Sequence, residues 1–183
     1  TNLIDHSTHV AGTMVGGGVQ ANAKGMSFQA PLKCYEWTND NPEMSTAAAA
    51  GMLISNHSYG SICGWEYDDE TTQWKWHGDV SISSAEDISF GIYDAESQNW
   101  DQMVYINPFY LPFKSAGNDR GDVPSGSDPK VFYNVNTGTW DVFSGAVPPA
   151  DGQYDCVSTY GNAKNILTIG AVNKITNGWS SAS

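Results

Sequence analysis

Two histidines stand three positions apart in His6-Ser7-Thr8-His9-Val10-Ala11-Gly12-Thr13. Backbone N–H groups give a helix start partial positive charge, and an imidazole must be neutral before it can take a proton as general base. His6 at such a start is a candidate base. Ala11 and Gly12 carry almost no side chain, so this helix can pack closely on a neighbour. Metal ligation is the competing use of paired histidines. The His-Glu-x-x-His spacing and its glutamate are absent, so no metal site is expected here. A second segment, Ile54-Ser55-Asn56-His57-Ser58-Tyr59-Gly60, begins apolar, turns polar and closes on glycine. In a parallel sheet, ligands bind beyond the carboxyl ends of strands; read alone, the segment is equally an ordinary strand-to-loop exit. A third, Ser115-Ala116-Gly117-Asn118, follows an apolar stretch. An asparagine there can aim its amide at a developing oxyanion, although the tetrapeptide by itself is only a turn signal.

These residues need elements to hold them. Asp5 can cap a helix over residues 6–15, stopped by Gly16-Gly17-Gly18. A strand is expected over 31–37. A helix with Pro42 in its first turn should run through 47–53, and a strand over 54–59 follows. Residues 60–92 hold Trp65, Trp74 and Trp76 among acidic residues and read as a long structured excursion. A helix over 94–106 leads to a strand over 109–114. Residues 131–135 and 140–143 suit a hairpin around Asn136-Thr137-Gly138, and 166–172 a last strand. Helices alternating with strands indicate a mostly parallel sheet.

Composition excludes some functions. The 183 residues carry 20 acidic and 8 basic side chains, a net charge of -12. Charged residues make up only 15% of the chain, against roughly 25% in an average soluble domain, so the imbalance is a shortage of Lys and Arg. Nucleic acid and anionic membrane surfaces are therefore not expected as partners. No apolar run approaches the roughly 20 residues of a membrane span. The opening residues lack the features of a signal peptide, and a mature product or a fragment is expected. Cys34, Cys63 and Cys156 make an odd set, which leaves one disulfide plus a thiol, or three thiols.

In this order, the segments resemble the subtilisin-like serine proteases, the subtilases. HSTHVAGT is similar to that family's histidine block, usually HGTHVAGT; ISNHSYG to its substrate-binding strand; SAGN to its oxyanion segment. Residues 165–172 resemble the strand before the nucleophile block, and Trp179-Ser180-Ser181 the stretch just upstream of it. The resemblance implies an α/β fold of three layers with a mostly parallel central sheet, incomplete in this chain. It makes 1–183 a partial catalytic domain with 61–92 as an insertion, and because that segment follows directly on the binding strand it is expected to overhang the cleft and restrict substrates. It makes His6 the catalytic base, passing the nucleophile's proton to the leaving amine, and Asn118 the oxyanion donor. Ser58, Tyr59 and Gly60 would pair with an extended substrate backbone. Ser115, Ala116 and Gly117 would form the opposite wall of the main specificity pocket. Ser7 replaces the usual glycine without removing a catalytic atom.

Two triad members have no counterpart. The family order is Asp, His, Ser, yet Asp5 adjoins His6 and no Asp-Thr/Ser-Gly segment precedes it. Ser180, Ser181 and Ser183 do not lie in a Gly-Thr-Ser-Met-Ala block. The chain alone is expected to be inactive, and its parent to be a secreted endopeptidase acting on polypeptides with the rest of the catalytic domain. No cofactor is required. The resemblance leaves calcium open, and Asp68-Asp69-Glu70 and residues 119–122 offer oxygens for it, but without a recognisable loop spacing these stretches read first as solvated surface acid. Two alternatives use the same chain without catalysis: a pseudoprotease, and a glycan-binding module stacking on exposed Trp65, Trp74, Trp76 and Trp100.

Overall fold

The computed structural model describes residues 5–149 and 156–173. They divide into two compact units, 1–46 and 47–183.

In the first unit, α1 (Asp5–Val15) opens with Asp5 in its first turn. Its end is closed by chain that doubles back: Met26 and Ser27 donate their N–H groups to the carbonyls of Thr13 and Met14 at 2.9 and 2.8 Å. Those carbonyls would otherwise be left unpaired at the helix terminus. The strand expected over 31–37 does not form. Leu32, Tyr35 and Trp37 are exposed, and among the described residues no strand pairs with this segment. Apolar composition alone cannot hold an extended chain whose N–H and C=O groups have no neighbour.

Helix α2 (Asp40–Ala49) carries Pro42 in its first turn, as expected. It stops short of residue 53 because Gly51, at φ +100°, turns the chain. Gly51 N–H then reaches the Ala48 carbonyl, and Met52 N–H the Ala47 carbonyl, both at 2.9 Å. This is the paired closure of a Schellman end, which a left-handed glycine makes cheap.

The second unit holds two sheets. Sheet A is wholly parallel, in the order β1 (Ile54–His57), β4 (Leu111–Ser115), β7 (Leu167–Ile169). Helix α3 (Ala95–Ile106) begins at Asp94, whose carboxylate accepts the N–H groups of Glu96 and Ser97. It buries Ser97, Trp100, Asp101, Met103 and Val104, a spacing that keeps them on one stripe. Trp100 meets the His57 ring at 4.8 Å and the Tyr160 ring at 5.1 Å. Asp101 Oδ1 accepts the N–H groups of Lys164 and Asn165, each at 2.7 Å, and Oδ2 the Tyr93 hydroxyl at 2.8 Å. One buried carboxylate thus fixes the turn that delivers the chain into β7.

Sheet B was not foreseen. Its order is β2 (Trp65–Asp68), β3 (Gln73–Trp76), β5 (Lys130–Asn134), β6 (Thr139–Val142). The expected hairpin around Asn136-Thr137-Gly138 is its β5–β6 half, and the presumed excursion supplies the other half. The halves join through parallel pairing of β3 with β5, Trp76 opposite Phe132. Trp65, Trp76 and Val131 are buried in it, with Trp65 against Trp76 at 5.1 Å and against Phe143 at 5.9 Å. The mixed α/β architecture and the parallel sheet agree with the sequence reading.

Candidate active site

Sheet A's pairing sets the geometry. His57 lies opposite Lys114, so β1 and β4 end side by side. Ser58, Tyr59 and Gly60 leave one strand exactly where Ser115, Ala116, Gly117 and Asn118 leave the next. The ladder continues one step further, with Ala116 N–H donating to the Ile169 carbonyl at 2.9 Å. Gly117 then turns at φ +103°. A side chain there would be strained, and its Cβ would stand 3.1 Å from an Asp119 carboxylate oxygen. Beyond the turn Asn118 is exposed. The two wall segments named from the sequence therefore share the carboxyl edge of one parallel sheet, where open α/β sheets take their ligands.

His57 has a structural account that its sequence context did not supply. It is buried, with Nε2 2.5 Å from Ser55 Oγ and Nδ1 2.7 Å from the Tyr59 hydroxyl. Ser55 Oγ lies 2.5 Å from the Tyr110 hydroxyl. This chain runs from the base of β4 to Tyr59 and fixes the binding segment's aromatic ring. Ser55 and His57, two apart on a strand, face the same side.

Two further residues went unnoticed. Lys114, the last residue before Ser115, is 4% exposed. Its Nζ donates to the Ser115 carbonyl at 2.8 Å and to Ser115 Oγ at 3.0 Å. Burial lowers its pKa to about 8, and the Asp119 charge opposes that shift. Its signal was a lone basic residue in an otherwise apolar strand. Asp119 accepts the backbone N–H of Cys63, which links the two connections leaving β1 and β4; burial nonetheless raises its pKa. Burial also pushes the Cys63 thiol up to about 11, which keeps it protonated and poorly nucleophilic at neutral pH. Cys34, Cys63 and Cys156 are all free thiols.

His6 lies in the first turn of α1 and is exposed, as are Ser7 and His9. It belongs to the first unit, whereas the sheet edge belongs to the second. Residues 174–183, with Trp179, Ser180, Ser181 and Ser183, lie outside the described residues.

One surface expectation is corrected. Trp65, Trp76 and Trp100 are 1%, 0% and 0% exposed, so these three form cores and offer no stacking platform for glycans, while Trp74 is half-buried. The acidic run at 68–70 serves a turn. Asp68 accepts the N–H groups of Glu70 and Thr71 and pairs with Lys75 Nζ at 2.5 Å, and these interactions hold its pKa well below the usual carboxylate range. Among the described residues, no group of three or more His, Cys, Asp or Glu could hold a metal ion.

The parallel sheet and its paired strand ends define an α/β protein. The subtilase family model matches residues 1–183, the whole chain. The chain belongs to the subtilase family, and its function is peptidase-related. Neither the curated proteins nor the solved structures contain a significant match.

Proposed function

We propose that this chain is the part of a secreted subtilisin-like serine endopeptidase that carries the general base and the oxyanion donor. One observation supports it above the others: residues 58–60 and 115–118 leave adjacent parallel strands together, in a chain the family matches throughout. An extended substrate would pair its backbone with Ser58, Tyr59 and Gly60 and insert a side chain toward Ser115, Ala116 and Gly117. His6 would take the nucleophile's proton and return it to the leaving amine. The Asn118 amide would stabilise the tetrahedral oxyanion. The acid and the nucleophile are assigned to no residue of this chain. The chemistry needs no cofactor.

The test compares this chain with the polypeptide its whole gene encodes. A serine-directed phosphonate should label the gene product and leave the 183-residue chain unlabelled. In the gene product, Asn118→Ala should lower kcat by roughly 10²–10³-fold, and His6→Ala by on the order of 10⁴-fold or more. Labelling of the chain alone, or full activity in His6→Ala, would overturn the proposal.

A further inference from the structure

We propose that Lys114 is a specificity-determining residue whose ammonium receives a carboxylate of the substrate, so that Glu or Asp in the main pocket is preferred. The inference rests on the proteolytic reading above and names the substrate class of that cleft.

Its position carries the argument. Nζ lies between the two walls, bonded to Ser115 on one side and facing Gly60 on the other. A Cβ built on Gly60 would stand 3.4 Å from it, so the missing side chain of Gly60 is what leaves room beside the charge. An ammonium has three N–H donors, and Ser115 takes two. A buried charge is normally matched by an opposite one. Among the described residues, the close Lys–carboxylate ion pair is Lys75 with Asp68. Asp119 acts on Lys114 through its charge without forming such a pair. Holding Ser115 would require only a neutral donor. What remains over is a positive charge and an unused N–H at the edge where the substrate lies. A carboxylate on a short side chain supplies both the counter-charge and the acceptor, whereas its amide isostere supplies no charge.

The experiment uses the whole-gene polypeptide and paired peptides differing only by Glu or Gln before the scissile bond. The readout is the ratio of their kcat/KM values, which cancels effects on His6, on folding yield and on the oxyanion donor. The wild-type ratio should favour Glu by about 10–100-fold, the worth of one charge-assisted hydrogen bond. It should fall to near one in Lys114→Met and persist in Lys114→Arg. If Lys114→Met does not fold, the wild-type ratio decides: it should collapse between pH 6.5 and 9.5 as the ammonium loses its proton. The titratable group acting on Lys114 is Asp119, from the connection after β4, whose charge opposes the loss of the proton. A wild-type enzyme indifferent to Glu and Gln, or an unchanged ratio in Lys114→Met, would sink the inference while leaving the protease reading intact. No cleavage of any peptide would remove both.

Discussion

A charged group held inside a protein leaves a trace in the pH dependence of folding, and Lys114 provides one. Its pKa is near 8 when folded, against about 10.4 for an unperturbed lysine. Between those values the unfolded chain binds more protons, so stability rises with pH across roughly 8 to 10.4. The raised Cys63 thiol pulls the other way over much of that window, so Lys114 is read by difference: the urea midpoint of the native sequence minus that of Lys114→Met should climb with pH. The same residue shows what kind of information a sequence withholds. In Leu111-Pro112-Phe113-Lys114-Ser115 it reads as the polar end of an apolar strand. Only the pairing of β4 with β1 brings it beside Gly60. The position of Asn118 just beyond β4, by contrast, was legible from its tetrapeptide, and His57 was visible but mute, since the Ser55 it bonds is itself held by Tyr110, 55 positions from Ser55 in the chain.

At the level of elements, the joints were easier to read than the sheets. Asp94 before α3, Pro42 in α2 and the turn at Asn136-Thr137-Gly138 are local signals, because caps and turns are satisfied within a few residues. Strand partners are not local. The segment 31–37 looks like a strand and has no partner. Trp65-Glu66-Tyr67-Asp68 and Gln73-Trp74-Lys75-Trp76 place aromatics two apart, a period-two signal, and their separation suits a hairpin. Their charged residues masked that pattern. The tie between α3 and β7 was also out of reach, since Asp101 acts on Lys164 and Asn165 across the chain. Asp101→Ala would leave two part-buried backbone N–H groups and a tyrosine hydroxyl without their acceptor. It should cost about 2–3 kcal/mol or more, read as a lower urea midpoint, while Asp94→Ala at the cap should cost about 1 kcal/mol.

For the molecule as a whole, sheet B alters what the region 61–92 means. Taken as a surface loop, it should be removable, with a broader peptide preference as the result. Instead it supplies β2 and β3, and it buries Trp65 and Trp76. Its removal would strip β5 of a neighbour and leave an open strand edge, a site for association between chains. The expected outcome of deleting 61–92 is a lower melting temperature together with concentration-dependent light scattering. A deletion variant that melts like the native chain and stays monomeric would contradict this. Charge composition spoke only to partners: a net charge of -12 sets the expectation against nucleic acid and is silent about peptide chemistry.

The parallel pairing of β3 with β5 has a mechanical consequence. The connection out of β1 and the connection out of β4 are stitched together at a distance from both strands, by Trp74 with Lys130, Lys75 with Val131 and Trp76 with Phe132. A cut in the exposed stretch around Gly126 would sever the backbone between β4 and β5 without releasing either piece. Such a nicked molecule should run as two bands in denaturing electrophoresis and elute as one species from a native sizing column, a useful tolerance in any chain that works among proteases.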